Sequence, residues 1–471
     1  MSNDSSARNL ANALRDELHH YSRGEKLPSN RALVERFGVS PVTVSRALAM
    51  LTAEGLVVTR PGAGAYRAEP AAHERRTIDT SWQQVALTAD DQRGVVDASG
   101  LSTNLAVPPP GVISFNGGFV HRSLQPERPL ATALAAAARR PGAWERPPLE
   151  GLTALRTWFA RELGGGLTAA EVLISGGGQA ALTTALRALA PPGSAVLVES
   201  PTYPGALAAA RAAGLRPVPV PVDADGVRLD LLREVFAATG AKVFYAQPLF
   251  QNPTGAVLAP DRRREVIEVV HAAGAFLLED DWARHLGHDG PVPPPLIADD
   301  PYGAVVHVGS LTKVTSPNLR IAALVARGPV RERLRAIQVV DSFFVPRPLQ
   351  EATLDLVGAP AWPRHLRALA AGLRERRDAM VAALRRDIPE LAPARLPTGG
   401  HYLWLRLPAG TDETAVVSAA WRAGVAVSAG RAYFAAEAPA PYLRLAFADT
   451  AGAEEIGEGV HRLATAYAEA G

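Results

Sequence analysis

From about residue 112 onward, short apolar segments alternate with longer helical ones, and this alternation restricts the fold more than any other feature of the chain. Four apolar segments have the length of strands, at 195–199, 242–246, 275–279 and 304–308. The segments between them are rich in Ala, Leu and Arg, as in 205–213 and 261–273. Short, mainly apolar strands separated by helices indicate a mostly parallel sheet that is covered on both faces. The sequence therefore predicts an α/β body.

Polar residues stand where these predicted strands end, which is where sheets of this kind bind ligands. Several polar groups follow strands, namely Ser175–Gln179, Tyr203, Gln251–Gly255, Glu279–Trp282 and Ser310–Lys313, with Arg320 seven residues further on. Glycines before a helix expose backbone N–H groups that suit a phosphate. An acid at the end of an apolar strand is costly unless a cation pairs with it. These positions are the candidates for a binding site.

Lysine is rare in this chain, and one of its lysines lies in that set. Of 49 Lys plus Arg, three are lysine, Lys26, Lys242 and Lys313, which leaves 46 arginines. Lys313 follows the strand 304–308 through small and hydroxyl residues. A lysine amine can form a Schiff base, whereas an arginine guanidinium stays charged and cannot. Lys313 is therefore predicted to be the reactive group of the site.

The N-terminal segment predicts a separate small domain. Helical patterns cover 8–21, Arg31–Phe37 and Pro41–Leu51, and a hairpin is predicted over 55–67 with its turn at Pro61–Gly64. Two short helices joined by a turn that contains Gly form a helix-turn-helix unit. Residues 1–67 carry nine Lys and Arg against six Asp and Glu, a net charge of +3. A small helical module for protein interaction is the alternative reading.

The motifs of this segment resemble the winged-helix domain of GntR-type transcriptional regulators. The resemblance lies in Leu27-Pro28-Ser29, Gly38-Val39-Ser40, Glu54-Gly55 and Arg60–Gly64. It implies double-stranded promoter DNA as the partner, with a phosphate at Arg31 and the major groove at the start of the third helix. The residues implied on that surface are Ser40, Thr43, Ser45 and Arg46, and the hairpin tip adds Arg60, Gly62 and Gly64. Pro41 stands where some relatives have an arginine that contacts a base.

The body resembles the fold-type I aminotransferases in the order and spacing of its polar strand ends. That resemblance implies pyridoxal 5′-phosphate as cofactor and Lys313 as the catalytic Schiff-base lysine. It also implies Asp280 at the pyridine nitrogen, Asn252 at the ring hydroxyl and Tyr203 stacked on the ring. The residues implied at the phosphate are Gly178, Gln179, Ser310 and Arg320. Arg444 matches the arginine that binds a substrate carboxylate, and Trp282 replaces a tyrosine that many relatives place near the ring.

The fusion of the two parts resembles the MocR-type regulators, a group that includes the PdxR and GabR types. The predicted layout is a winged helix-turn-helix domain at 1–70, a linker at 71–110, a large cofactor-binding domain at 111–335 and a small α/β domain at 336–471. The resemblance implies a homodimer, with swapped DNA modules, that controls transcription in response to pyridoxal phosphate, a small amine or an amino acid. Two alternatives stay open. One is a working aminotransferase of amino acids, and the other is a scaffold that has lost the cofactor.

The amino-acid composition excludes several classes of protein and of binding site. The chain of 471 residues is 47% hydrophobic and 20% charged, and no apolar run reaches the roughly 18 residues that suggest a membrane span. It has no cysteine, which excludes disulfides and thiolate metal sites. The sequence therefore predicts a cytoplasmic protein without a metal site or a membrane partner.

Overall fold

The computed structural model describes residues 3–68, 79–88, 97–393 and 395–470. The chain divides into two compact units, Met1–Arg93 and Gly94–Gly471. The predicted boundary between residues 70 and 71 lies outside the described residues, as does much of the predicted linker.

The N-terminal unit is a small helical domain with a β-hairpin. Its elements are α1 (Asn3–Glu17), α2 (Asn30–Phe37), α3 (Pro41–Ala53), β1 (Val57–Arg60), β2 (Gly64–Arg67) and α4 (Ser81–Thr88). β1 and β2 pair antiparallel, and Leu10, Leu14 and Leu18 are buried as their spacing predicted. The winged helix-turn-helix architecture is thus confirmed.

Local chemistry explains where the two helices of the helix-turn-helix begin. Ser29 Oγ accepts a hydrogen bond from the Ala32 N–H at the start of α2, and Ser40 Oγ does the same for the Thr43 N–H at the start of α3. Gly38 has φ = 62°, a left-handed conformation that glycine adopts most easily and that ends α2. Pro41 occupies the first turn of α3, where no amide hydrogen is needed.

The second unit is built around an eight-stranded sheet. Its first half comprises α5 (Ser99–Leu105), β3 (Ile113–Ser114), α6 (Glu127–Ala137), α7 (Thr153–Leu163), β4 (Val172–Ser175), α8 (Gly178–Leu189), β5 (Ala195–Ser200), α9 (Pro204–Ala212), β6 (Arg216–Asp223), β7 (Gly226–Val227), α10 (Leu229–Thr239), β8 (Val243–Ala246), α11 (Pro260–Ala272), β9 (Phe276–Asp281), β10 (Val305–Ser310) and β11 (Ala322–Val325). The strand order is β4-β11-β10-β9-β8-β5-β6-β7.

The sheet is mostly parallel, as predicted. β6, β5, β8, β9 and β10 run parallel to one another, while β11 is antiparallel to both β10 and β4, and β7 is antiparallel to β6. Its two faces contribute to two separate hydrophobic clusters, one containing Leu277 and Phe244 and the other Leu278 and Tyr245. The parallel strands therefore bring their carboxyl ends to one edge, under cover on both faces.

The C-terminal part of this unit adds a smaller sheet and several helices. Its elements are α12 (Val330–Ser342), α13 (Arg347–Gly358), α14 (Trp362–Asp387), β12 (Tyr402–Arg406), α15 (Glu413–Arg422), β13 (Val425–Ala426), β14 (Ser428–Ala429), β15 (Tyr442–Ala446) and α16 (Ala453–Ala470). β12, β15 and β14 form an antiparallel sheet, and β13 pairs with β3. The boundary predicted between residues 335 and 336 falls inside α12, a continuous helix, so it marks no break in the chain.

The linker prediction over 71–110 needs a correction at its C-terminal end. α5 lies within it, yet this helix is anchored to the second unit, since Asn104 Nδ2 donates to Tyr433 Oη (2.9 Å) and Ser428 Oγ donates to Asn104 Oδ1 (2.6 Å). The sequence missed this because the contacts join residues more than 300 positions apart. In the described parts of the chain, no helix has the length and apolar character required to cross a bilayer.

Candidate cofactor site and DNA-facing surface

A cavity of about 360 Å³ lies at the carboxyl ends of the parallel strands. All ten residues that the sequence analysis named for the cofactor and its substrate line this cavity: Gly178, Gln179, Tyr203, Asn252, Asp280, Trp282, Ser310, Lys313, Arg320 and Arg444. They come from the ends of β4, β5, β8, β9 and β10 and from β15 of the small sheet. The fold therefore gathers residues that are up to 266 positions apart, from 178 to 444, around one space.

Lys313 presents its amine to the cavity. Its Nζ donates to the Gly118 carbonyl oxygen (2.6 Å) and lies 3.9 Å from the centre of the Phe119 ring. Desolvation, aided by the positive charges of Arg444 and Arg320, lowers the pKa of Lys313 to about 7. An amine in this state is a nucleophile near neutral pH, which an ordinary lysine is not.

Asp280 is the acid that faces the cavity. Tyr245 Oη and Gln247 Nε2 donate to its Oδ2 at 2.7 and 2.8 Å. Burial raises the pKa of Asp280 above its usual value, and these two hydrogen bonds oppose the rise. No cation within the described residues forms an ion pair with it, so the carboxylate is suited to a cationic ring nitrogen of a ligand.

Its two neighbours on β9 point to the opposite face of the sheet, because side chains alternate along a strand. Glu279 accepts hydrogen bonds from the Leu296 N–H (2.7 Å) and from His307 Nδ1 (2.9 Å). Asp281 accepts from Arg284 Nε at 2.6 Å. Of the three successive acids, only Asp280 is therefore available to a ligand in the cavity.

The end of the cavity near α8 has the character of an anion site. α8 begins at Gly178, so its first N–H groups are free of helical partners there. Arg320 reaches across and donates from Nη2 to the Gly176 carbonyl oxygen at 3.1 Å. A Cβ atom at Gly177 would lie 2.4 Å from Arg320 Nη2, so glycine is required for this approach. Gln179 is held by Tyr203 Oη, which donates to its Oε1 at 3.1 Å.

Arg444 is a buried cation whose polar partners are all neutral. It is 2% exposed, and Nη2 donates to the Asn116 carbonyl oxygen (2.6 Å) and to Ser428 Oγ (3.3 Å). Its guanidinium lies 4.0 Å from the centre of the Tyr402 ring. No carboxylate of the described chain pairs with Arg444. A purely structural arginine would form an ion pair at the surface, and Arg444 does not. A buried guanidinium without an anion favours an anionic ligand.

Unpaired buried polar atoms in the cavity wall test whether the site fits pyridoxal phosphate. Trp282 Nε1, Thr312 Oγ1 and Arg444 Nε are buried and, in the part of the chain that is described, have no hydrogen-bond partner. Buried donors without partners are rare in folded proteins. All three residues line the cavity, and the amine of Lys313, the acid of Asp280 and the anion site suit an aldehyde, a pyridine nitrogen and a phosphate.

Several lining residues were missed by the sequence analysis. Gln247 directly follows β8, so the strand-end rule that found Asn252 also points to it. Phe119, Tyr402 and Asn104 also line the cavity. They come from segments outside the parallel strands, and no local pattern indicates where such segments pack.

The predicted DNA-facing residues of the N-terminal unit are exposed, with one exception. The exposed residues are Arg31, Ser40, Ser45, Arg46, Arg60, Gly62 and Gly64. Thr43 is only 5% exposed, and its Oγ1 lies 2.8 Å from Ser40 Oγ. The prediction that Thr43 lines the surface is therefore wrong, because the helical turn places it beside Val44 and Ala47 on the buried side of α3.

Comparison with known proteins agrees with this division of the chain. Residues 6–66 match the family model for bacterial regulatory proteins of the gntR family, and residues 123–463 match the model for aminotransferase class I and II. The 2-aminoadipate transaminase of Thermus thermophilus is 33% identical over 76% of this chain and 90% of its own length. The HTH-type transcriptional regulator TauR of Rhodobacter capsulatus is 28% identical over 94% of this chain and 92% of its own.

A solved structure supports the same conclusion for the body. The crystal structure of LysN, an alpha-aminoadipate aminotransferase from Thermus thermophilus complexed with N-(5′-phosphopyridoxyl)-L-leucine, superposes with a TM-score of 0.76 and 32% identity, covering 83% of this chain and 98% of that one. The body thus has the fold-type I aminotransferase architecture. The chain belongs to the class I and II aminotransferase family and, through its GntR-type N-terminal domain, to the MocR-type regulators, so it is a transcriptional regulator that binds pyridoxal phosphate.

Proposed function

We propose that the cavity holds pyridoxal phosphate with Lys313 bound covalently to its aldehyde and Asp280 against its pyridine nitrogen. Asn252 and Trp282 would face the ring hydroxyl, and Tyr203 would stack on the ring. Gly178, Gln179, Ser310 and Arg320 would hold the phosphate at the start of α8. When bound, the cofactor supplies an electron sink that Asp280 strengthens by keeping the nitrogen protonated.

One observation supports this assignment above the others. An amine with a pKa of about 7 and a buried acid without a cation face the same cavity. Each of these states is unfavourable in isolation, since burial penalises the charged form of both groups. A ligand with an aldehyde and a basic ring nitrogen satisfies both.

The N-terminal unit binds double-stranded promoter DNA in this proposal. The start of α3 enters the major groove with Ser40, Ser45 and Arg46, while Arg31 contacts a phosphate. Arg60 pairs with Gly64 next to the turn of the hairpin, and its guanidinium lies 4.7 Å from the centre of the Tyr66 ring. A homodimer would present two such units to the DNA. Dimers of helix-turn-helix proteins usually bind two half-sites. A protein that binds promoter DNA works where the chromosome is, so we place it in the cytoplasm.

The body controls DNA binding through a ligand, either pyridoxal phosphate itself or a small amine or amino acid that enters the loaded site. A ligand changes DNA affinity only by as much as it favours one state of the protein over another. The test is an anisotropy titration of a fragment from the promoter region of the chain's own gene. It is run with cofactor-free protein, with loaded protein, and with loaded protein plus amines or amino acids. We expect the Kd for DNA to change by roughly fivefold or more in at least one condition. Identical affinity in all conditions contradicts a sensory role.

A working aminotransferase of amino acids is the second candidate. It is favoured by the complete set of lining residues and by the relative named 2-aminoadipate transaminase. Turnover of 2-aminoadipate and other amino acids with 2-oxoglutarate, measured beside the DNA titration, separates the two. Sustained turnover at a kcat of about 1 s⁻¹ or more, within the usual enzyme range, together with ligand-independent DNA binding, favours the enzyme.

A further inference from the structure

α5 forms one wall of the cofactor cavity, although it precedes the aminotransferase-like body in the sequence. Leu101, Asn104 and Leu105 all line the cavity. Leu105 is 54% exposed, so this wall is incompletely packed. The helix begins at Ser99, and the unit that carries the DNA-binding domain ends at Arg93. α5 is therefore the first described helix that the chain forms after that unit.

Three hydrogen bonds attach α5 to the surroundings of Arg444. Asn104 Nδ2 donates to Tyr433 Oη (2.9 Å), and Ser428 Oγ donates to Asn104 Oδ1 (2.6 Å). Asn116 Nδ2 donates to the carbonyl oxygen of Thr103 (2.9 Å). Both polar groups of the Asn104 side chain are thus used, and the two partners lie in β14 and in the turn between β14 and β15.

The same neighbours currently hold Arg444. Its Nη2 donates to Ser428 Oγ and to the Asn116 carbonyl oxygen. A carboxylate that binds through Nη1, whose acceptor Asn252 Oδ1 lies at 3.4 Å, shifts a guanidinium that Ser428 and Asn116 hold through Nη2. Ser428 and Asn116 are each hydrogen-bonded to α5 as well. Binding at Arg444 and the position of α5 are therefore connected through two residues.

We infer that α5 reports binding of a carboxylate at Arg444 to the DNA-binding part of the chain, with Asn104 as the positioning residue of this connection. The ligand class is an α-amino acid, which carries both a carboxylate for Arg444 and an amine for the cofactor end of the cavity. A bound ligand also contacts Leu101 and Leu105. α5 is therefore held more firmly in the ligand-bound protein than in the free protein. This inference rests on the proposed function, because it needs pyridoxal phosphate in the cavity.

The first experiment follows hydrogen exchange of the α5 amides in the loaded, full-length protein. The twenty standard amino acids are added singly, each compared with the amine that lacks its carboxylate, and the visible absorbance of the cofactor reports binding. We expect exchange across 99–106 to slow by roughly fivefold or more with a binding amino acid, and not with its amine. Binding that leaves α5 exchange unchanged overturns the inference. An absorbance that no amino acid alters overturns the ligand class.

The second experiment tests Asn104 by the DNA titration. Asn104→Leu removes both hydrogen bonds at nearly constant volume, and Tyr433→Phe removes one of them with a smaller change. Ser102→Ala, at an exposed position on the same helix, is the matched control. We expect both variants to reduce the amino-acid-dependent change in DNA Kd from roughly fivefold to below about twofold, while Ser102→Ala keeps it.

The outcomes separate this inference from the proposed function. A full response in Asn104→Leu and Tyr433→Phe, with the cofactor band present, rejects α5 as the connection and leaves a regulator that uses another route. A wild-type protein that lacks the cofactor band, or whose DNA affinity ignores every ligand, instead rejects the proposed function.

Discussion

Arginine is used in opposite ways in the two units. Arg444 is 2% exposed and is surrounded by carbonyl and hydroxyl oxygens and aromatic rings. The Arg31 side chain is 90% exposed and pairs with Glu35 on the same helix at 3.3 Å. A buried cation interacts strongly with one small anion because water does not screen it, whereas an exposed cation interacts weakly and salt screens it. Single substitutions should thus have large effects in the cavity and small, salt-dependent effects on the DNA-facing surface.

The largest expected effect comes from Lys313→Ala. Without the amine, no covalent attachment to the cofactor aldehyde forms, so the visible absorbance band of the loaded protein should disappear completely. Lys242→Ala is the matched control, since Lys242 is an exposed lysine of the same unit and should keep the band. Retention of the band in Lys313→Ala would show that another amine binds the cofactor.

A smaller but still large effect is expected from Asp280→Asn. Removing one partner of a buried charged pair costs about 3 kcal/mol, so the cofactor Kd should rise roughly 100-fold. The measurement is a cofactor titration followed by absorbance. Asp261→Asn changes an exposed acid at the start of α11 and should leave the Kd unchanged. Equal affinity of the Asp280→Asn variant would mean that the ring nitrogen faces another group.

The pH dependence of cofactor uptake should show the lowered pKa of Lys313. The reactive form of lysine is the neutral amine, which predominates only above the pKa. With a pKa of about 7 in the cofactor-free protein, the neutral fraction rises about tenfold between pH 6 and pH 8 and then levels off. The uptake rate, measured by stopped-flow absorbance, should follow this curve. A rate that keeps rising steeply above pH 8 would indicate an ordinary lysine.

The smallest effect is expected at the surface. Arg31→Ala should weaken binding to the promoter fragment by roughly fivefold at moderate salt, and it should reduce the slope of log K against log salt by about 0.9, the value for one phosphate contact. Arg385→Ala, an exposed arginine of α14, serves as the control with unchanged affinity and slope. A large, salt-independent loss in Arg31→Ala would remove the contrast between the two units.

The sequence predicted the cavity well because its chemistry follows from strand ends. Asp280 and Lys313 each end or follow an apolar strand, and parallel topology alone brings such positions together. Asn104 was not predictable in the same way, because its partners Ser428 and Tyr433 are brought to it by the small sheet. The prediction for Thr43 was wrong for a simpler reason. A position near the start of a helix does not determine which side of the helix a residue occupies.

The alternation of the three acids on β9 has a consequence for insertions and deletions. Shifting this strand by one residue exchanges its two faces. Asp280 would then meet His307 and the backbone amides of Leu296 and Ile297, while a neighbouring acid would enter the cavity in its place. The number of residues between Ala275 and Trp282 should therefore tolerate no change in relatives that keep the cofactor. Alignments of such relatives can be anchored on this strand.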